Sequence, residues 1–273
     1  MKRPVRRAIL FVLLLVAALA TLAPLLWMLT ASFMVNGEAS SFPPKLLPDH
    51  PTLAHYIRLF TNQNIGRYAL NSAFVSVMVT VVSLIINSMA GYAFAKYRFR
   101  GRDGLFKFLI TSMIIPAQVT MLPLFIMLNK MGFINSYMGL LIPGLASIFG
   151  IFLIRQYCLA IPDSLIDAAR IDGAGDVRIY VSLILPLCKP ILATLAIFTF
   201  MGTWNDFLWP LIVMTDDSMY TLPVALAILS RESVQDTELM MAGSVITIVP
   251  VMVVFVALQK YYIAGIMAGG LKE

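Results

Sequence analysis

Long uninterrupted apolar runs dominate this chain of 273 residues and limit what it can fold into. A helix needs roughly 20 mostly apolar residues to cross about 30 Å of hydrocarbon. Six stretches meet that requirement and predict spans at about 8–33, 69–95, 105–128, 137–157, 188–212 and 243–263. Hydrophobic residues make up 60% of the chain and charged residues 12%, whereas a soluble domain carries about 25% charged residues. The sequence therefore predicts an all-α integral membrane protein, with residues 1–273 forming a single transmembrane domain.

The first apolar run has two interpretations, because four basic residues precede it as they would precede a signal peptide. A signal peptide has an apolar core of roughly 7–15 residues and a cleavage site of small residues. The run at 8–29 is longer than that, and no such cleavage site stands out. We therefore interpret it as a retained first span.

The distribution of basic residues predicts an orientation in the membrane. With the N-terminus in the cytoplasm, fifteen Lys and Arg residues fall in inner segments and five in outer segments, as the positive-inside rule requires. Both termini are then cytoplasmic. This asymmetry also accounts for the formal net charge of +6, so no nucleic-acid partner is predicted.

The longest inner connection, 158–187, is patterned rather than passive. Pro162 followed by Asp163 and Ser164 predicts a helix start with a side-chain oxygen as its cap. The residues that follow predict a short helix with one apolar face, and Gly173 predicts its end and a sharp turn. A second short segment then leads into the fifth span. Together these features predict a rigid, amphipathic helix–turn–helix on the cytoplasmic face.

The same loop carries a resemblance to a known family. Asp167-Ala168-Ala169-x-x-x-Gly173, followed after nine residues by Leu183-x-Leu185-Pro186, resembles the EAA loop of ABC importer permeases. Along the rest of the chain the sequence is similar to the carbohydrate (maltose/maltodextrin-type) permeases, at Asn71-Ser72, Gly91 to Ala95, Arg98 to Gly101, Trp204 to Phe207 and Gly265 to Lys272. Two positions depart from the family: Asp167 replaces its leading Glu, and Glu273 replaces a usual terminal Gly.

The resemblance implies the type I ABC importer permease fold, with six transmembrane helices forming half of a heterodimeric pore. It implies a loop that couples to a separate ATPase through Asp163, Asp167, Ala168, Ala169, Asp172, Gly173, Leu185 and Pro186. It also implies a tail contact with the ATPase through Gly269, Gly270 and Lys272. The expected partners are a second, non-identical permease, two ATP-binding cassette ATPases, an extracytoplasmic solute-binding protein and membrane lipid.

The nucleotide chemistry is expected to belong to the partners. The chain contains no GxxxxGK[ST] phosphate-binding loop, so ATP and Mg would be bound by the ATPase subunits. No cofactor, metal or catalytic residue is predicted for this chain, and it is not expected to be an enzyme. Its expected place is the cytoplasmic membrane of a bacterium or archaeon.

Polar residues within the spans are candidates for a substrate path, because polar groups in lipid are costly unless they face a cavity or another helix. The candidates are Asn87, Gln118, Trp204, Asn205 and Asp206. An aromatic ring beside hydrogen-bonding groups suits a sugar or a related polyol such as a glycerol phosphate. The same residues could instead bond to neighbouring helices, and the Trp could belong to an interfacial aromatic belt.

Three other functions are compatible with parts of the pattern. An ABC permease for a non-sugar solute would share the EAA loop, and only the resemblance to carbohydrate permeases outside that loop distinguishes the two. A secondary carrier would favour more spans and an intramembrane ionisable residue for ion coupling. An intramembrane enzyme would need a motif such as HExxH or GxSxG, and neither occurs in the sequence.

Overall fold

The structure is a computed structural model that describes residues 3–232 and 236–270, with side chains at 7, 9–231 and 236–259. Within these residues the regular structure is helical and contains no strand. The α-helices are α1 Arg3–Ala31, α2 Ala54–Asn62, α3 Ile65–Lys96, α4 Arg102–Ser112, α5 Ala117–Lys130, α6 Tyr137–Leu141, α7 Ile148–Leu159, α8 Asp163–Ile171, α9 Asp176–Ile179, α10 Leu185–Leu187, α11 Lys189–Trp204, α12 Leu208–Val213, α13 Leu222–Glu232 and α14 Thr237–Gly270. This is the all-α membrane architecture that the composition predicts.

The number of candidate spans depends on how two bent helix pairs are counted. Four helical stretches in the described residues are long and apolar enough to cross a membrane, and there are up to six if each bent pair forms one span. The first pair, α4 and α5, is bent by 103° just before α5, where Pro116 disfavours helical geometry in the residue that precedes it. The second pair bends by 77° between Leu187 and Lys189, where Pro186 and Pro190 flank the break.

The fifth and sixth predicted spans differ from the observed helices. The fifth predicted span, 188–212, is divided between α11, which ends at Trp204, and a separate short helix, α12. At this break the Asp206 carboxylate accepts a hydrogen bond from the Trp209 N–H, so a side chain replaces a helical backbone partner. The last helix begins at Thr237, six residues before the predicted start.

The chain divides into two compact units, and the first comprises Met1–Tyr68 and Leu222–Pro250. Its interior contains two buried carboxylates. Glu238 accepts a hydrogen bond from the Ala39 N–H at 2.8 Å, and Glu38 accepts from the Val35 and Asp49 N–H groups. These bonds satisfy backbone donors in a segment without helix, where they would otherwise be unpaired.

The second unit comprises Ala69–Thr221 and Val251–Glu273, and one of its apolar clusters joins α3, α7, α11 and the 158–187 segment. The cluster is made of Tyr92, Ala95, Ile154, Cys158, Ile161, Ile166, Ile179, Ile184, Cys188, Ile191 and Leu195. The backbones of α3 and α7 come close together at Gly91, where an added Cβ would lie 2.7 Å from the Ile154 Cβ. Glycine is required there because no side chain fits between the two helices.

A π-helical turn, Tyr180–Ile184, separates α9 from α10. Ile179, which precedes the turn, and Ile184, its last residue, are both buried in this cluster, and each is 1% exposed. Residues five apart point in different directions in an α-helix, whereas the wider π turn brings them to one face. The wide turn therefore keeps both isoleucines in the core.

Candidate functional site

The first helix of the predicted coupling segment is held by an ion pair at its start. Pro162 is the N-cap of α8 and no side chain caps the helix, so the predicted Asp163 or Ser164 cap is wrong. The Asp163 Oδ1 instead accepts a hydrogen bond from the Lys96 Nζ at 2.6 Å. The same ammonium donates to the Ile161 carbonyl at 2.5 Å. The carboxylate that was expected to cap the helix is engaged with the end of α3.

Lys96 is the buried partner of this contact, since its side chain is 8% exposed and that of Asp163 is 76% exposed. A buried ammonium is stable only when it is paired and hydrogen-bonded. The Asp163 carboxylate supplies the opposite charge, and the Ile161 carbonyl accepts a second hydrogen bond. The hydrogen bond from Lys96, and then its charge, hold the pKa of the Asp163 carboxyl below its ordinary value. At neutral pH the carboxylate is therefore ionised.

The apolar residues of α8 lie on two faces of the helix rather than on the single face that was predicted. Ile166 is 5% exposed and joins the core cluster, with Ala169 packed against it. Leu165 and Ile171 point away from that cluster and are 43% and 87% exposed. Val177, beyond the turn, is 77% exposed. One face of the segment is thus anchored in the protein, and the other presents uncovered apolar side chains.

The turn after α8 has the geometry that the glycine predicted. Gly173 has a φ of +80°, and its N–H and that of Ala174 donate to the Arg170 and Ala169 carbonyls at 3.0 and 2.9 Å. A left-handed residue that closes the last helical turn in this way is a common helix end. Asp167 and Arg170 form an ion pair at 4.0 Å on the exposed surface of α8.

The predicted coupling residues lie together on one segment of the second unit. Most of them are exposed: Asp163, Asp167, Ala168, Asp172, Gly173 and Pro186. Ala169 and Leu185 are partly buried. Of the predicted tail contact, Gly269 and Gly270 are the last residues of α14, and Lys272 lies outside the described residues.

The substrate-path candidate Asn87 lies in the packed interior at 0% exposure. Its Nδ2 donates to the Ser83 hydroxyl at 2.7 Å, and its Oδ1 accepts from the Ser147 N–H at 3.0 Å. Gly150 packs against it so closely that an added Cβ would lie 2.5 Å from the Asn87 Nδ2. The contacts with Ser147 and Gly150 join α3 to the start of α7, which is the alternative role considered for the candidate.

Three of the remaining candidates, Trp204, Asn205 and Asp206, are consecutive at the end of α11, and their side chains differ in burial and partners. Trp204 is 2% exposed and its ring stacks on Phe200, with centroids 5.7 Å apart. The Asn205 amide donates to the Met201 carbonyl, and Gln118 is exposed on α5. Asp206 is partly buried at the break between α11 and α12. The substrate path through these residues stays a prediction.

A groove of about 210 Å³ lies on α11, and none of the five candidates lines it. Its polar lining residues are Ser147, Thr199 and Thr203, with Phe149 and Phe198 beside them. The sequence analysis missed these residues. The i, i+4 spacing of the two threonines was a signal, because it places them on one helix face. Lys96 was also missed, although it is the basic residue in the last turn of α3.

Metal-binding chemistry has no visible basis in the part of the chain with described side chains. No three His, Cys, Asp or Glu side chains come together there. The two cysteines, Cys158 and Cys188, are free and buried in the core cluster, with their sulfurs 3.6 Å apart.

Several helices long and apolar enough to cross a membrane, with an anchored helix–turn–helix between two of them, are the features expected of a membrane permease. The chain belongs to the family of binding-protein-dependent transport system inner membrane components, whose sequence profile matches residues 87–267. This family assignment confirms the resemblance inferred from the EAA-type spacing.

Relatives of known role cover almost the whole chain. The arabinooligosaccharides transport system permease protein of Halalkalibacterium halodurans is 39% identical, over 91% of this chain and 90% of its own. The diacetylchitobiose uptake system permease protein of Streptomyces coelicolor is 33% identical, over 96% and 88%. The sn-glycerol-3-phosphate transport system permease protein of Yersinia pestis is 29% identical, over 94% of both chains.

A solved structure has the same fold. One chain of a bacterial ABC transporter involved in the import of the acidic polysaccharide alginate superposes with a TM-score of 0.85. It is 27% identical to this protein, and the match covers 96% of this chain and 99% of that one. The type I importer permease fold is therefore the fold of this chain.

Proposed function

We propose that this chain is one half of the heterodimeric pore of an ATP-driven importer for a sugar, an oligosaccharide or a related polyol. A solute-binding protein would deliver the substrate from outside, and two ATPase subunits would bind ATP and Mg and hydrolyse the nucleotide. This chain would bind no cofactor and catalyse no reaction. Its sugar-transporting relatives and the glycerol-3-phosphate permease support this substrate range. A permease for a non-sugar solute is the second candidate.

The observation that carries the proposal is the uncovered apolar face of the helix–turn–helix. Ile171 and Val177 are 87% and 77% exposed on a segment that is otherwise anchored in the core. An apolar patch of this kind, surrounded by charged residues, marks a protein contact. The cleft of an ATPase subunit is the partner that this location suits, because the basic residues predict a cytoplasmic loop.

The anchored face explains how motion of the ATPase would reach the membrane. Ile166 holds the middle of α8 in the core cluster, and the pair between Lys96 and Asp163 ties its first residue to the end of α3. A close-packed interior transmits displacement instead of absorbing it. Movement of the docked helix would therefore shift α3 and switch the access of the pore.

The proposal can be tested by copurification of the tagged chain with its genomic neighbours in a gentle detergent. The variant Ile171→Asp places a charge on the apolar face without touching the core, so it should lose the ATPase and retain the second permease. Ser164→Asp is the matched control, because it adds the same charge at an exposed position in the first turn of α8, where an acidic residue is favourable. An Ile171→Asp complex that keeps its ATPase and imports normally would contradict the proposed docking face.

Energy coupling is tested in proteoliposomes that contain the purified complex. Uptake should require ATP inside the vesicle and the binding protein outside. Uptake that continues without ATP would favour the secondary carrier instead.

A further inference from the structure

Two threonines on α11 differ from the other threonines within helices in how their hydroxyls are used. Elsewhere a helical threonine hydroxyl donates to a carbonyl of the preceding turn, as at Thr21, Thr30, Thr61, Thr80, Thr111, Thr120, Thr194 and Thr247. The Thr237 hydroxyl shares a hydrogen bond with the Ser40 hydroxyl. Within the described side chains, the Thr199 and Thr203 hydroxyls have no hydrogen-bond partner. A hydroxyl in apolar surroundings without a partner costs free energy, so this arrangement leaves two groups available to a ligand.

Both hydroxyls lie along one groove. Thr199 and Thr203 are separated by one helical turn, which puts them on the same face of α11, and both line the groove of about 210 Å³. Ser147, the N-cap of α7, also lines it. Its oxygen accepts a hydrogen bond from the Gly150 N–H, and a hydroxyl that accepts can still donate. The groove therefore offers three hydroxyl groups.

The rest of the lining is aromatic and open. Phe149 and Phe198 meet edge to face, with centroids 6.2 Å apart, and they are 41% and 47% exposed. Gly202 lies between the two threonines in sequence, and a Cβ added there would meet nothing within 4 Å. The glycine leaves the groove unobstructed, while the ring faces provide an apolar wall.

We propose that this groove is a subsite for one sugar ring of the transported substrate. The hydroxyls of Thr199, Thr203 and Ser147 would bond to sugar hydroxyls, and the phenylalanine rings would cover the C–H face of the ring. The volume is below the roughly 300–1,000 Å³ of pockets for drug-sized ligands, so it accommodates one ring of a longer chain. The inference rests on the proposed importer function, and it assigns substrate contact to a site that the sequence candidates do not include.

Transport kinetics of the assembled complex test the subsite. In proteoliposomes loaded with ATP, uptake of arabinotriose, galactobiose and diacetylchitobiose is measured for the wild-type complex, and the best of them is used as probe. The Thr199→Val, Thr203→Val double variant keeps the side-chain shape and removes both hydroxyls. We expect uptake at limiting sugar to fall about tenfold, which corresponds to the loss of one to two neutral hydrogen bonds. Thr194→Val is the matched control, because its hydroxyl donates to the Pro190 carbonyl on the same helix.

The double variant should still assemble with its partners and hydrolyse ATP in response to the loaded binding protein. Comparing the wild type with the double variant separates the proposed importer function from the proposed subsite. A wild-type complex with no ATP-driven uptake of any of the three sugars would overturn the oligosaccharide part of the proposed function, and with it a subsite for one ring of a longer chain. Normal uptake by the wild type and an equal rate for the double variant would overturn the subsite alone.

Water access provides an independent test that does not depend on transport rates. In the complex, Thr203→Cys should react with a membrane-impermeant, positively charged methanethiosulfonate reagent, and the probe sugar should slow the reaction. Thr194→Cys is the control, since Thr194 is buried, as are the two native cysteines. Modification of Thr203→Cys by a lipophilic maleimide alone would mean that the groove faces lipid, and the proposal would fail.

Discussion

The Lys96 Nζ lies 2.6 Å from the Asp163 Oδ1, so one buried ammonium joins the last residue of α3 to the first residue of α8. The two residues are 67 positions apart in the chain. The exposed carboxylate is screened by solvent, which limits what the ion pair contributes to stability. The ammonium also bonds the Ile161 carbonyl, and this geometry makes Lys96 a positioning residue for the docking helix.

Replacing Lys96 should separate transport from hydrolysis. Lys96→Met keeps the apolar stem but loses both hydrogen bonds, so we expect a complex that binds and hydrolyses ATP with much less sugar imported per ATP. Lys96→Arg retains the charge and the hydrogen-bond donors, so it should keep most of the coupling, although the planar guanidinium differs in shape from the ammonium. The measurement is the ratio of uptake to hydrolysis in proteoliposomes. Equal ratios for the Met variant and the wild type would remove the positioning role.

The pH dependence of this contact follows from the lowered pKa of Asp163. A carboxyl whose pKa is lower in the folded state stabilises that state above its unfolded pKa of about 3.9. The contribution disappears as the pH falls through the lowered folded value. The difference in thermal stability between wild type and Asp163→Ala should therefore be constant from about pH 5 to 8 and shrink only in more acidic buffer. A difference that already changes near neutral pH would contradict the pairing with Lys96.

The turn after α8 offers a comparison of two neighbouring glycines. Gly173 has a φ of +80°, so Gly173→Ala should cost about 1–2 kcal/mol and loosen the helix–turn–helix. Gly175 has a φ of −72° and an added Cβ would meet nothing within 4 Å, so Gly175→Ala should be close to neutral. Uptake and ATPase copurification are measured for both variants. Equal behaviour of the two would show that the left-handed turn is unimportant for coupling.

Close packing of α3 on α7 predicts a second glycine effect, unrelated to the turn. Gly91→Ala would place a Cβ 2.7 Å from Ile154 and 3.0 Å from the Arg155 nitrogen, which forces the two helices apart at a cost of about 1–3 kcal/mol. Gly104→Ala serves as the control, since its position is open. Thermal unfolding in detergent should show a lower midpoint for the Gly91 variant alone.

The sequence predicted the class of fold and the coupling segment because both depend on local signals. Apolar runs mark spans, and the glycine and prolines between 158 and 190 mark a helix–turn–helix. The contact of Lys96 with Asp163 could not be predicted, because it joins residues that only the fold brings together. The division of α8 into two apolar faces was equally hidden, since composition does not state which residues meet the core.

The substrate-path candidates illustrate a different limit. Asn87 was selected because a polar group in lipid is costly unless it faces a cavity or another helix, and Trp204 because an aromatic ring suits a sugar. Both are buried in the packed interior. The spacing of Thr199 and Thr203 places them on one helix face, but it does not show whether their hydroxyls are free, because a helical threonine usually bonds its own backbone. Only the side-chain geometry distinguishes a threonine that faces a groove from one that bonds the preceding turn.

The π turn at Tyr180–Ile184 should allow the deletion of one residue without moving the buried side chains out of the core. Deleting one residue from most helices rotates everything beyond it by about 100° and moves buried side chains into solvent. Here, deletion of Ser182 would place Ile179 and Ile184 four apart, and a regular α-helical turn would then keep both in the core. The segment behaves as an α-helix into which one residue has been inserted. Homologues one residue shorter at this point would be expected to fold in the same way.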